Sequence, residues 1–550
     1  MDDKTQRTRF YSKILSANMN PGKGTGNGQL SNEVTPYVIS LDIGTTTLRS
    51  HVYVKDGSIK GSSSKRIQII YPKPRWSEID PDVLVQQAVD CIKESIRAAN
   101  ITASQVTCLG ITTQRSTFLT WDRETGKPFH NFITWQDLRA SDNVKSWNNS
   151  YKLRALNKGS SILHLFTRQP RFLAASVLKF MSNQVSLRLI WALENIEELR
   201  KRVSEDQVMF GCIDTWLLWK LTGERVHATD YSNASGTGLF DPFQVEWSTI
   251  VSGILNIPMS IFPEIKDTSG LFGKTDSSIF GAPIPITAMI SDQMSAMFGE
   301  CCYDVGDMKC TMGTGTFVDV NTGSYAHASV AGLYPQIGWK IKDELVYVAE
   351  GAITDTGTVI EWAKSIGFFD DVSDTARIAA SVPDSDGVCI VTAFSGLQAP
   401  INDDKAASSI IGLKPTTTKA HLVRALLESI AFRFKILYEA ILKESKVELS
   451  YMIRADGGVC NNNFLMQLIS DLTGQEIDRA KQRADITSLG AAFLAGLHAG
   501  VWKDKEELRS IRKSEFLFKP DQKRWQEYKN VFTDWERAVT RSKEWYALGE

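Results

Sequence analysis

The chain has 550 residues, of which 43% are hydrophobic and 23% charged, and its formal net charge is −1. That length favours two or more domains, and the near-neutral charge gives no bulk attraction to nucleic acid or to an anionic membrane. Eight cysteines without a CxxC pair and seven histidines without HxxxH spacing argue against a zinc site and fit a reducing compartment.

In chain order, residues 1–36 come first. They are polar and rich in Gly, Asn, Ser and Lys. The run from Pro21 to Gly28 (PGKGTGNG) cannot bury enough apolar surface to offset ordering entropy, so a disordered tail is expected. No apolar leader stretch follows Met1, and no run of ~18 apolar residues occurs anywhere. A soluble, cytoplasmic protein is the expectation.

Regular structure is expected to start at Tyr37. Tyr37–Ile43 reads as a buried strand, Gly44–Thr47 as a turn, and Leu48–Val54 as a second strand. Asp42 precedes the turn, Thr45, Thr46 and Thr47 fill it, and Arg49 follows. A glycine that lets the backbone approach closely, three hydroxyls, a carboxylate and a guanidinium can together hold a phosphate and a metal-bound water. A second strand-turn-strand of this kind spans Met308–Val320, with Gly313 and Thr314 in its turn. Two such hairpins suggest an internal duplication in which each half offers one loop to a shared cleft.

Between the hairpins, Pro81–Ala99 reads as an amphipathic helix capped by Asp80. Val106–Ile111 is a short strand ending in the polar cluster Thr112–Thr117, at the kind of strand end where α/β sheets bind ligands. Arg115 can bond a substrate hydroxyl there, and Trp135 can stack on its carbon frame. Alternatively, Arg115 pairs with a structural acid and Trp135 is core. Residues 143–193 lack Asp and Glu yet carry eight Lys or Arg. They read as an ordinary loop with a partly buried helix; contact with a membrane surface or acidic partner is the alternative. Gly211–Gly223 reads as strand, cap and short helix. Gly270–Thr275 imitates a P-loop, but Thr268 stands where that pattern needs glycine. Ile286–Ile290 is an apolar run ending at Ser291-Asp292-Gln293, and a carboxylate at such a strand end can act as a base.

In the second half, Ala352–Trp362 reads as a loop leading into a helix that contains Gly357. His421–Leu442 carries an apolar stripe at helical spacing. Tyr451–Ala455 is a strand, and the Gly457-Gly458 pair after it suits close approach of a flat nucleotide or a plain turn. Ser488–Ala499, rich in Gly and Ala, suits close helix packing. Trp525, Trp535 and Trp545 read as docking anchors of a C-terminal helical region.

Several long stretches resemble the FGGY family of carbohydrate kinases, most of all its glycerol kinases and their divergent animal branch. They include DIGTTTLR (42–49), GITTQRST (110–117), NFITWQD (131–137), SDQMSAMFGE (291–300), MGTGTF (312–317) and DGGVCNNNFLMQ (456–467). The resemblance implies an α/β fold of two ribonuclease-H-like domains of the actin and hexokinase type, with an ATP cleft between them. The limits it implies are 37–300, binding polyol and carrying the base, and 301–548, binding ATP. It implies phosphorylation of glycerol by ATP and Mg²⁺ to sn-glycerol 3-phosphate, with Asp292 as base and Asp42 holding the metal through water. Thr45, Thr46, Thr47, Arg49, Gly313 and Thr314 fall at phosphate positions. Gly357, Glu361, Gly458 and Asn462 fall at adenosine positions, and Arg115, Ser116, Trp135, Asp292, Gln293 and Phe317 in the polyol pocket.

Three positions depart from the family pattern. Ser116 replaces a glutamate, Asn183 stands where a pocket tyrosine belongs, and Glu361 replaces a glutamine. The first change alone weakens a polyol hydrogen bond by ~1–3 kcal/mol. A kinase for another polyol or sugar, or a catalytically weak nucleotide-binding regulator, is therefore the competing expectation; a homo-oligomer is compatible with all of these.

Overall fold

The computed structural model describes residues 35–329, 332–482 and 484–546. The expected disordered tail, 1–36, lies outside the described residues except for its last two.

Two sheets carry the fold, and both follow from buried, β-rich runs. The first is built from β1 (Tyr37–Ile43), β2 (Thr47–Tyr53), β3 (Ile59–Arg66), β4 (Val106–Thr113), β5 (Ser269–Lys274) and β6 (Pro285–Ser291), in the order β5-β6-β4-β1-β2-β3. All seven residues of β1 are buried, which is why it reads as a nearly continuous apolar run rather than an alternating one. The second comprises β7 (Met308–Met312), β8 (Thr316–Gly323), β9 (Tyr334–Ile341), β10 (Glu344–Ile353), β11 (Met452–Asp456), β12 (Glu476–Ala480) and β13 (Ser514–Phe518), in the order β9-β10-β8-β7-β11-β12-β13.

The two sheets share one plan. From β3 inward, two antiparallel pairings lead to β1, two parallel pairings to β4 and β6, and one antiparallel pairing to β5. From β10 inward, the same sequence of pairings leads through β8, β7, β11 and β12 to β13, with β9 added outside β10. The hairpins β1-β2 and β7-β8 occupy equivalent places. The duplication suggested by two short hairpins therefore extends to the whole sheet topology.

Helices fill the faces. The first is α1 (Pro81–Ala98), capped by the Asp80 carboxylate, which accepts from the amides of Asp82 and Val83. Residues 143–193 are mostly helical rather than loop. They hold α2 (Tyr151–Thr167), a short helix Pro170–Ser176 and most of α3 (Val185–Asn195). Then follow α4 (Asp292–Gly299), α5 (Gly357–Ser365), α6 (Lys419–Glu444) and α7 (Ile486–His498). The middle of α6 is buried all round rather than along one stripe, because Arg424 reaches Glu428 at 2.8 Å and both meet the Tyr528 hydroxyl. Trp535 anchors the C-terminal helix by donating to the Ile390 carbonyl, whereas the Trp545 side chain is exposed. Among the described residues no helix is long and apolar enough to cross a membrane.

One packing contact matters for the site. Helix α7, from the second half of the chain, lies on β1, β4 and β6 and against α4. Its approach depends on missing side chains. A Cβ on Gly490 would strike the Ser295 carbonyl of α4, one on Gly299 the Ile486 carbonyl, and one on Gly110 of β4 the Ala491 carbonyl. Backbone cannot yield as a flexible side chain can. Gly490→Ala is therefore expected to lower stability by about 1–3 kcal/mol in denaturant unfolding; an unchanged midpoint would show that α7 shifts freely.

Candidate active site

Strands β6, β4 and β1 run parallel and side by side. Ile290, Thr112 and Asp42 form one rung, and Ser291, Thr113 and Ile43 the next. Their carboxyl ends thus open onto one rim, which gathers Asp42, the turn Gln114-Arg115-Ser116 and Asp292 from positions far apart in sequence. Gln114 ties two of these segments by donating to the Gly44 carbonyl at 3.0 Å.

Asp292 is the first residue of α4, with a quarter of its side chain exposed. Its carboxylate accepts from the Gln293 amide at 2.8 Å and lies 3.9 Å from the Arg115 guanidinium. Burial raises its pKa above the usual carboxylate range, and Arg115 opposes the rise. Asp42 is buried and faces its cross-strand neighbour Arg49 at 3.9 Å. Burial, the largest cause, lifts its pKa to about 7; Arg49 pulls it down and the negative charge of Asp292 pushes it up. Two carboxylates thus share one cleft, with guanidinium groups near both but in close contact with neither. Arg49 also donates to the Ala484 carbonyl at 3.1 Å.

The opposite rim belongs to the second sheet. Parallel strands β7 and β11 end together, with Thr311 opposite Asp456. In the turn after β7, the Gly313 amide donates to the Gly315 carbonyl at 2.8 Å. The start of α5 is tied to that turn, since the Gly357 amide donates to Gly313 and the Thr356 amide to Thr314. Gly457, at φ +95, presses on the turn where a Cβ would strike the Met312 carbonyl. Gly313 and Gly458 face open space, with nothing within 4 Å of where a Cβ would stand. Gly313, Thr314, Gly357 and Gly458 therefore form one open, glycine-lined shelf. Glu361 is exposed on α5, one turn beyond Gly357. The Asn462 side chain is occupied, since it accepts from Leu465 as the cap of the following helix and donates to the Thr375 hydroxyl at 2.9 Å.

Of the residues expected to line a polyol pocket, Arg115 and Gln293 lie beside Asp292. Trp135 is fixed through its indole N–H, which donates to the Thr45 hydroxyl at 3.1 Å, so Thr45 orients the tryptophan. The Gln293 side-chain oxygen accepts from Lys309 at 2.8 Å. Phe317, half-buried, lies on β8 two residues before Asp319. Ser116 sits at φ +62, a region costly for a residue with a Cβ, and its hydroxyl donates to the Gly236 carbonyl at 2.7 Å. Thr46 and Thr47 complete the first turn, with the Thr47 carbonyl accepting from Gly44.

Five further residues belong to this constellation. Glu350 of β10 binds Arg115 at 2.6 Å, so Arg115 does pair with a buried acid while keeping its other face toward Asp292. Glu350 is the cross-strand neighbour of Asp319, and Asp319 of Lys309, whose ammonium lies 2.8 Å from the Asp319 carboxylate. Tyr334 pairs with Glu350 from the other side, and its hydroxyl lies 3.0 Å from the Met181 sulfur. Burial, reinforced by Glu350, holds its phenol protonated. Arg188, fully buried on α3, donates to the carbonyls of Ser116, Ile133, Thr134, Asn183 and Gln184, pinning the segments that carry Ser116 and Trp135. The sequence does hold a signal for three of these: Lys309 and Asp319 are each the lone charge of a strand, and Glu350 follows the apolar run 345–349.

Among the described residues no group of three or more His, Cys, Asp or Glu is placed to hold a metal ion by itself. Asp42, buried and carrying a raised pKa, fits a cation that arrives already bound to phosphate.

Known proteins resemble this chain over most of its length. The description "FGGY family of carbohydrate kinases, N-terminal domain" matches residues 37–299, and its C-terminal counterpart matches 308–499. "Glycerol kinase 5" of Bos taurus is 54% identical over 510 residues, covering 93% of this chain and 96% of that protein. "Glycerol kinase 2" of Thermotoga maritima is 38% identical, covering 92% and 99%. Among solved structures, Plasmodium falciparum glycerol kinase with ADP superposes with a TM-score of 0.83 at 31% identity, covering 92% and 98%.

The raised pKa of Asp42 has a consequence for stability. An unfolded aspartate ionises near 3.8 and this one near 7, so stability is fully present below the lower value and is lost as pH climbs to the upper one. Asp42→Asn removes that loss. In the ligand-free protein the variant is expected to be more stable than wild type by on the order of 2 kcal/mol above about pH 7, the gap closing toward about pH 4. Thermal unfolding across this range checks it, and a gap that does not vary with pH would contradict it.

Proposed function

We propose that this chain, a carbohydrate kinase belonging to the FGGY family, transfers the terminal phosphoryl group of ATP to glycerol and yields sn-glycerol 3-phosphate and ADP. The observation that carries the reading is the position of Asp292, on one rim beside Arg115 and with the raised pKa suited to a base. Glycerol kinases of animals and bacteria at 38–54% identity support the choice of glycerol, and an ADP-bound relative supports ATP as the donor.

In this reading Asp292 accepts the proton of a primary hydroxyl. The freed oxygen attacks the γ-phosphorus in line, and the bond from that phosphorus to the bridging oxygen breaks as ADP leaves. Arg115, held by Glu350, bonds the polyol and keeps the Asp292 carboxylate ionised between turnovers. Trp135 and Phe317 enclose the carbon frame, and Gln293, fixed by Lys309, bonds a hydroxyl. The turn residues Thr46 and Thr47, with Arg49, Gly313 and Thr314, bind the phosphates. Gly357, Gly458, Glu361 and Asn462 line the adenosine. Mg²⁺, held through water by Asp42, would supply neutralisation of charge on the phosphates. The buried free thiols of all eight cysteines fit action in the reducing cytoplasm.

The pocket is altered at the position of the expected tyrosine. Asn183 is exposed and offers no phenol, while Tyr334 reaches the same segment from the second sheet, its hydroxyl at Met181. We assign to Tyr334 the polyol contact that Asn183 does not make. A different polyol is the second reading, favoured by the Ser116 hydroxyl being turned to Gly236.

The test measures ADP release against glycerol and a panel of polyols. Turnover on another polyol with none on glycerol would replace the first reading by the second. Asp292→Asn is expected to reduce kcat by about 10²–10⁴ with nucleotide binding retained; undiminished turnover would remove Asp292 from its role. Tyr334→Phe is expected to raise KM for the polyol about 5- to 30-fold while leaving KM for ATP unchanged, as loss of one hydrogen bond requires. Equal effects on both substrates would assign Tyr334 to holding the fold.

A further inference from the structure

Helix α2 presents its apolar side chains to solvent. Tyr151 is 88% exposed, Ile162 58%, Leu163 46%, Leu165 60% and Phe166 79%. At 100° per residue all five fall within one half of the helix surface. The opposite side is the packed one, where Leu153 is buried, Leu156 joins the core of the first half, and Asn157 donates to the Leu178 carbonyl. A solvent-facing stripe of this size is unusual on a soluble chain and marks an interaction surface.

The charges around it are of one sign. Lys152 and Lys158 project from the same half of α2 as the stripe and Arg154 from its edge, Arg168 closes its C-terminus, and Lys179 follows the short helix packed against it; all five are exposed. None of the five enters an ion pair among the described residues, while Arg171 is engaged by Asp241 and Arg188 is buried. No Asp or Glu occurs from 143 to 193. The net charge of −1 shows that this basicity is local, not a property of the whole chain.

We propose that α2 and the turn after it form a docking surface for an anionic lipid bilayer. Phe166, Leu165 and Ile162 enter the interfacial region, and the flanking cations meet negatively charged headgroups. Apolar groups on the outward face of a helix, ringed by lysine and arginine, are the pattern by which helices lie in a membrane interface without spanning it. The complementary charge favours this occupant over a second copy of the chain, whose own α2 would bring the same positive charge. The proposal is independent of the kinase reading, since it uses none of the residues assigned to substrate or nucleotide.

The test uses the full chain with vesicles of phosphatidylcholine alone and of phosphatidylcholine mixed with phosphatidylserine, followed by co-sedimentation. Binding to the mixed vesicles is expected, with at least about tenfold less to the neutral ones and weakening as salt is raised. Two variants, Ile162→Ser/Leu165→Ser/Phe166→Ser and Lys152→Glu/Arg154→Glu/Lys158→Glu, are each expected to lose at least about tenfold in vesicle binding, while kinase turnover in vesicle-free solution stays unchanged and reports an intact fold. Failure to bind the mixed vesicles, or equal binding to both kinds, overturns the proposal. So does a dimer in sedimentation equilibrium that the apolar variant dissociates, which would assign the stripe to self-association.

Discussion

The ion pair between Arg115 and Glu350 is the constraint on which the arrangement turns. It joins the rim of the first sheet to β10, the second strand from the edge of the other sheet, at 2.6 Å and with both side chains largely out of water. A charge in such surroundings is tolerable only when paired, so removing either partner would strand the other. Glu350 is not alone. It stands in a row that continues across the second sheet through Asp319, Lys309, Arg454 and Asp478 on five adjacent strands. Three acids and two bases stand at one level of this sheet; Glu350 and Asp319 are like-charged neighbours, as are Lys309 and Arg454, and the opposite charges beside them offset that repulsion. The row ends at Arg512, which binds both Asp478 and Glu300. The guanidinium that faces Asp292 is thus the last member of a charged chain built into the sheet, and its position is inherited from the register of those strands.

The second structural element of the site is the way one plan, used twice, makes two rims. In each sheet an antiparallel hairpin leads into parallel strands, and parallel strands bring their carboxyl ends to the same edge. On the first sheet that edge collects carboxylates and a guanidinium; on the second it collects glycines. The difference suits the partners proposed for them, a polyol that needs directional hydrogen bonds and a nucleotide that needs close backbone. Helix α7 adds coherence. Its glycines and alanines let it sit against both β4 and α4, so the height of Asp292 depends on a helix from the far end of the chain.

The basic, apolar α2 lies apart from this machinery. It adds an outward-facing surface to the first half without lending a side chain to either rim. The kinase core and this outward-facing helix can therefore change independently, the one constrained by charge pairing and glycine contacts, the other only by the sign of its charge and the direction of its apolar face.

Much of this was legible in the residues themselves. Continuous apolar runs marked β1 and β6, because strands buried on both faces have no alternation to show. Glycine-threonine turns marked both hairpins, and the motifs around Asp42, Arg115 and Asp292 identified the family. What stayed hidden was everything that depends on register between distant strands. Nothing local says that Glu350 will meet Arg115, that Tyr334 will reach Met181, or that Asn462 will spend its side chain on a helix cap. The helices of residues 143–193 are hard to place from sequence for a related reason: lone basic residues and scattered leucines do not reveal which side of a helix faces the core until the core is present. Sequence by itself determined the fold class, the family and the position of the two turns, since these rest on short-range pattern. Tertiary structure alone decided which charges are paired and which apolar faces are left bare, because pairing and burial are set by residues hundreds of positions apart.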